Sequence, residues 1–164
     1  MSEIDDFYNE RVERVEEIDS VDNKYQKVFD ELSQDIDFDK SIINIAGPII
    51  HGETLLNVST KIRAILKLRP NPEAPINVLI NSNGGDKYEA LGIVDFIKSL
   101  DVPVNTICRG IVNGEALELF ASATGARFMS KRAKLGAMNS SEALKASAID
   151  HIIEDYKLPT KPKT

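Results

Sequence analysis

The run Ile76–Asn81, INVLIN, constrains this chain more than any other stretch. It is a near-continuous apolar strand, the kind buried on both faces of a parallel sheet. Ser82-Asn83-Gly84-Gly85-Asp86 follows as a turn. A helix is then expected from about Lys87 to Leu100, with Ala90, Ile93, Val94 and Ile97 at helical steps on its inner face. A buried strand, a glycine turn and an amphipathic helix make one half of a βαβ crossover, and the same grammar recurs on both sides. Ser41–Ala46 reads as a strand closed by Gly47-Pro48, and Glu53–Leu68 as a helix ended by Pro70, with Leu55, Val58, Ile62, Ile65 and Leu66 as its apolar face. Arg69–Pro75, with three prolines, is the loop into INVLIN.

Downstream, Pro103–Cys108 reads as a strand that breaks at Arg109-Gly110, with a helix over Gly114–Ala123. Arg127–Met129 and Lys134–Met138 fit short strands. Ser140–Tyr156 reads as a last helix, with Asn139 or Ser140 as its N-cap, and Leu158–Thr164 is a tail rich in proline and lysine. Repeated strand–helix alternation predicts an α/β domain with right-handed crossovers. The expected division is an acidic helical arm over 1–40, a domain over 41–158 and a tail over 159–164.

The arm stands apart in charge. Residues 1–40 carry 14 acidic and 5 basic side chains, and the rest of the chain 12 and 15. No concentrated basic face is visible, which argues against nucleic acid. Ile4, Tyr8, Val12, Val15, Ile18, Val21, Tyr25, Val28, Leu32 and Ile36 recur at steps of three and four, one apolar stripe that needs a partner surface. No stretch approaches the roughly 18–20 apolar residues of a membrane span, and Met1–Asn9 lacks the apolar region of a secretion signal. Cys108 is the single cysteine, which fits a reducing, cytoplasmic setting. With His51 and His151 as the only histidines, a structural zinc site is not expected, and no cofactor is implied.

Chemistry is expected at two strand-to-helix junctions. Gly84-Gly85 lets backbone N–H groups approach a phosphate or an oxyanion, although neither a dinucleotide fingerprint nor a P-loop lysine is present and, taken alone, the pair reads first as a plain tight turn. The second junction, Gly110-Ile111-Val112-Asn113-Gly114-Glu115-Ala116, has the shape of a nucleophile elbow, but Asn113 and Gly114 are not acyl-transfer nucleophiles. Glu115 in a first helical turn suits the helix dipole. A Glu115–Glu118 pair doing acid–base work has no further support in the sequence.

Five segments, in order, resemble the ATP-dependent Clp protease proteolytic subunits. They are Ala46-Gly47-Pro48-Ile49, Ile80-Asn81-Ser82-Asn83-Gly84-Gly85, Leu91-Gly92-Ile93-Val94-Asp95-Phe96-Ile97, Thr106-Ile107-Cys108-Arg109-Gly110 and Arg127-Phe128. The family usually reads Asn-Ser-Pro-Gly-Gly-Ser, so Asn83 and Asp86 are departures. The resemblance implies a ClpP/crotonase-like α/β spiral with a handle helix, here the truncated Ala146–Tyr156. Aligned on the family's Gly-x-Ala-Ala-Ser-Met-Gly-Ala, the catalytic serine falls on Gly114, or on Asn113 after a shift of one residue. Counting from Arg127-Phe128, the histidine position falls on Met138, and the chain ends before the aspartate position. Gly85 and Glu115 carry the N–H groups that match the family's oxyanion hole. The segment is closest to the non-catalytic ClpR type.

The resemblance therefore implies a Clp-like subunit without the Ser-His-Asp triad, a structural or regulatory component of a ring. Its partners would be copies of itself, catalytic Clp subunits in a mixed ring, or an AAA+ unfoldase. A short chain with a degenerate site also suits a phage-encoded protein. Two alternatives differ in class: a serine endopeptidase with an atypical site, and a crotonase-type binder of acyl thioesters that uses the Gly85 and Glu115 N–H groups.

Overall fold

The structure, a computed structural model, describes residues 35–154. The expected arm, up to residue 34, and the expected tail lie outside the described residues. Of the apolar stripe, Ile36 alone falls inside them. It pairs with Ile43 in a two-residue strand β1 (Ile36–Asp37) and packs against the core.

The remaining strands are β2 (Ile42–Ala46), β3 (Ile76–Ser82), β4 (Val104–Val112), β5 (Arg127–Ser130), β6 (Lys134–Leu135) and β7 (His151–Ile153). They form one sheet in the order β1-β2-β3-β4-β5-β7, with β6 beside the far end of β4. Every pairing is parallel except that of β1 with β2. Among the described residues four helices connect the strands: α1 (Thr54–Leu68), α2 (Lys87–Lys98), α3 (Ala116–Ala121) and α4 (Ser140–Lys145). No helix among the described residues is long and apolar enough to cross a membrane.

INVLIN is the central strand β3; the helices cover one of its faces, and on the other Asn77 is half-buried and Asn81 exposed. Val58, Ile62 and Ile65 of α1, Ile93 and Ile97 of α2, and Leu119 and Phe120 of α3 pack with Ile43, Ile76, Val78, Ile80 and Val104 into the main core. On the other face Leu79, Ile107 and Phe128 form a thin second cluster with Ile42, Ala126 and Ile153. Each fully buried isoleucine contributes about 1.5–3 kcal/mol of transfer free energy, so the face under the helices dominates stability. A polar seam crosses the start of the sheet: Asn105 Nδ2 donates to Asn77 Oδ1 (3.0 Å), Asn77 Nδ2 donates to the Lys40 carbonyl (3.0 Å), and Ala126 N–H donates to Asn105 Oδ1 (2.8 Å). The three-proline loop is held by the buried Arg69, whose guanidinium donates to the carbonyls of Pro72 and Ala74.

Residues 36–40, expected in the helical arm, form β1 and a turn instead, and two further elements differ from the sequence reading. The third long strand does not break at Arg109-Gly110. Gly110 adopts φ +76° and the β3–β4 register jumps from Ile80↔Cys108 to Ser82↔Val112, a bulge after which pairing resumes. Asn81 fills the gap, its Oδ1 accepting from Ile111 N–H (3.1 Å). A glycine after a strand reads as a stop; here its left-handed φ lets the strand step over two residues and continue.

The second of these is the last helix. Asn139 is its N-cap, in a capping box with Glu142, but the helix stops at Lys145. Ser147 takes φ +58°, with Ser147 N–H on the Leu144 carbonyl (3.1 Å) and Ala148 N–H on the Ala143 carbonyl (2.9 Å), a Schellman stop made without glycine. His151-Ile152-Ile153 then joins the sheet as β7, so the expected handle Ala146–Tyr156 is, as far as residue 154, a turn and an edge strand. Asp150 clamps that return: its carboxylate accepts from Arg127 N–H (2.8 Å), Nε (3.2 Å) and Nη2 (3.1 Å).

Candidate functional site

The two junctions singled out by the sequence meet at the C-terminal ends of β3 and β4, where adjacent parallel strands deliver their turns side by side. The first turn is fixed on both flanks. Ile49 N–H donates to the Gly84 carbonyl (3.0 Å) and Asp86 N–H donates to the Ile49 carbonyl (2.9 Å), which places Ile49 and Gly85 in an isolated parallel bridge. A Cβ on Gly85 would lie 2.2 Å from the Ile49 carbonyl oxygen, so no side chain fits there.

Asn113 N–H donates to the Ser82 carbonyl (2.9 Å), joining the second turn to the first. Gly114 has φ +54°, and a Cβ on it would meet the Asn83 carbonyl oxygen at 2.6 Å. Its backbone lies directly against Asn83-Gly84. The Asn113 side chain folds back, its Oδ1 accepting from Gly114 N–H (2.9 Å).

Glu115 links the turns. Its Oε2 accepts from Gly85 N–H at 2.9 Å, and its own N–H also faces the carboxylate. The Gly85 N–H named from the sequence is thus taken by a carboxylate of the same chain. The Gly85 hydrogen bond, then the Glu115 N–H, hold this carboxyl below its ordinary pKa; partial burial and the Asp86 charge oppose them, and Lys87 assists. Glu118 is exposed on α3 and meets Glu115 through the backbone, its N–H donating to the Glu115 carbonyl (3.2 Å), while the Glu115 carboxylate turns to Gly85. Met138 is half-buried against the core and pairs through its backbone with Leu135.

Beside the paired turns lies an open groove of about 350 Å³ lined by Gly47, Pro48, Asn81, Ser82, Asn83, Gly84 and Ile111. A third group of polar residues, not anticipated from the sequence, flanks the turns at the starts of α1 and α2. Asp86 caps α2 by accepting from Glu89 N–H (2.7 Å). Glu89 reaches across to accept from Gly52 N–H (3.0 Å) and Leu55 N–H (2.7 Å) at the start of α1. His51 Nδ1 stands 3.5 Å from Asp86 and 3.9 Å from Glu89, and its side chain is largely exposed. The signal for this arrangement was Asp86 three residues before Glu89, a capping spacing; the cross-helix reach of Glu89 has no local signature. His151 stacks on Phe128 at 5.1 Å. Among the described residues no group of three or more His, Cys, Asp or Glu could hold a metal ion.

A family model described as Clp protease matches residues 34–155, which spans both turns and every described strand and helix. Among solved structures, the chain is similar to the ClpP protease catalytic domain from Plasmodium falciparum, at 22% identity with a TM-score of 0.62, over 76% of this chain and 90% of that one. It is likewise similar to ClpP1 from Listeria monocytogenes, at 18% identity with a TM-score of 0.62, over 72% of this chain and 94% of that one.

Proposed function

The chain belongs to the Clp protease family, and from that premise we propose that it is a Clp-type ring subunit that does not itself cut peptide bonds. The observation that carries this reading is the packing of Gly114. In the alignment on the family's motif Gly114 stands at the nucleophile position, and its backbone is pressed against Asn83 with φ +54°. A serine there would need space that the neighbouring backbone occupies. Met138, at the histidine position, offers a thioether to the core rather than a base. Glu115 already takes the Gly85 N–H that an acyl oxygen would use. Without a nucleophile hydrogen-bonded to a base, binding and N–H donors alone leave at most weak residual catalysis.

Its use is then architectural or regulatory. The chain joins or caps a ring of Clp-type subunits in the cytoplasm, made of its own copies or of mixed composition, and through that ring meets an AAA+ unfoldase. The stop at Ser147 and the return through β7 support single or mixed rings over stacking through a long helix.

The test is casein and fluorogenic-peptide cleavage by the purified full chain, alone and with a catalytic Clp subunit, alongside native mass spectrometry. Silence alone with mixed rings in the spectrometer supports the partner-subunit reading, and silence with rings of one composition supports a self-assembling one. Cleavage by the chain alone, with labelling by a fluorophosphonate, overturns it.

A further inference from the structure

Glu115 makes a contact that spans 30 residues of sequence and ties the turn after β4 to the turn after β3. Its Oε2 sits where a side chain on Gly84 would begin, 2.3 Å from a Cβ built there, so the carboxylate fills the hollow that Gly84 leaves. The backbone around the hollow is held by the Ile49, Asp86 and Asn113 N–H bonds described above, whereas Glu115 is held at its tip and is only half-buried. Rotation of one side chain, with no backbone movement, would therefore uncover the Gly85 N–H. The groove is lined by Asn83 and by Gly84, the residue that precedes that N–H.

We propose that Glu115 is a resident plug: an intramolecular carboxylate that occupies the Gly84–Gly85 cradle and keeps outside carboxylate or carbonyl oxygens from the Gly85 N–H at the end of the groove. The charged groups around it are Asp86, which disfavours the charged carboxylate, and Lys87, which favours it. Ionised, Glu115 is an acceptor-only group matched to two N–H donors. An outside anion must first displace it, and a plug closed about 90% of the time weakens outside binding about tenfold. The inference does not depend on whether the chain is catalytically silent, because it concerns the N–H cradle and not a nucleophile.

The test follows the Gly85 amide of the full-length 15N-labelled chain by two-dimensional NMR while sodium acetate is added. In the wild type the amide should stay put; in Glu115→Ala it should lose the downfield shift of a charge-assisted hydrogen bond and then move saturably with acetate. Glu115→Gln, which keeps a weaker acceptor, should lie between them. An acid titration of the wild type gives a readout that needs no variant: the Gly85 amide should move with protonation of Glu115, at a pH below the ordinary glutamate value, also in an Asp86→Asn background. A wild-type chain that takes acetate as readily as Glu115→Ala overturns the plug. A Glu115→Ala chain whose Gly85 amide ignores acetate overturns the cradle.

Discussion

Replacing Gly114 with serine restores the residue type that the alignment places there, and it should cost stability without returning activity. The wild-type glycine sits at φ +54°, where a non-glycine residue pays about 1–2 kcal/mol. The new Cβ would start 2.6 Å from the Asn83 carbonyl oxygen, about 1 Å inside a comfortable non-bonded separation. Relief requires moving Asn83-Gly84, which the Ile49 N–H bond to the Gly84 carbonyl resists, and overpacking of that kind costs about 1–3 kcal/mol. Together the two effects give a loss of about 2–5 kcal/mol, which for a chain of this size lowers Tm by about 5–15 °C. Gly114→Ala should lose nearly as much, because the cost lies in Cβ and φ and not in the hydroxyl. The sign is diagnostic, since at a site that accommodates alanine the same change stabilises by about 0.4–1 kcal/mol. Thermal melts by circular dichroism on both variants, with casein cleavage in parallel, make the test. Alanine and serine variants that melt within about 1 °C of the wild type would refute the packing argument. A folded serine variant that gains cleavage would refute the idea that backbone packing closes the site.

Glu89 should govern acid sensitivity. Its carboxyl is held below its ordinary pKa by the Leu55 and then the Gly52 N–H bonds, so its stabilisation is complete above the unfolded value and is lost as pH falls through the lower folded value. Glu89→Gln should flatten the Tm-against-pH curve below about pH 4.5; an unchanged curve would show that the cross-helix cap is not the linked group. At neutral pH Glu89→Ala, which strips two N–H groups of their acceptor, should cost about 1–3 kcal/mol in urea unfolding. Cys108 is fully buried and its thiol is pushed up to about 12 by burial, so iodoacetamide at pH 8 should label it only after denaturation, and rapid native labelling would contradict its place in β4. Asp150→Ala should release β7 from β5, seen as faster hydrogen exchange at His151–Ile153 while the β3 amides keep their protection.

The crossovers were legible because each carried redundant signals. INVLIN is too apolar to lie anywhere but the sheet centre, and Pro70 and the Gly84-Gly85 pair punctuate the two helices beside it. The errors came where one residue had to be read without its neighbours in space. Gly110 has the same sequence appearance in a strand end and in a bulge, and the side chain that rescues the bulge, Asn81, is 30 residues from the Ile111 N–H that it accepts from. Ser147 gives no warning of a left-handed helix stop, because glycine usually stands there. The Ile152-Ile153 pair, β-branched and therefore suited to a strand, lay inside the stretch read as one helix over Ser140–Tyr156. At the site the family resemblance drew attention to Gly85 and Glu115; that the Gly85 N–H meets the Glu115 carboxylate follows from adjacent parallel strands and is invisible in linear order.

β7 is the last described element, yet it takes the edge from β5 and replaces it with a strand of three residues. Until His151–Ile153 exist, β5 presents an unpaired row of backbone donors and acceptors, with Phe128 and Met129 beside it. A chain made from its N-terminus can build the β2–β3–β4 layer and its helices early, but it carries an open, adhesive strand until the final segment arrives. Nascent or truncated forms ending between residues 131 and 150 should therefore be the aggregation-prone species and the ones that engage chaperones. The Asp150 clamp on Arg127 then acts as the step that retires that hazard.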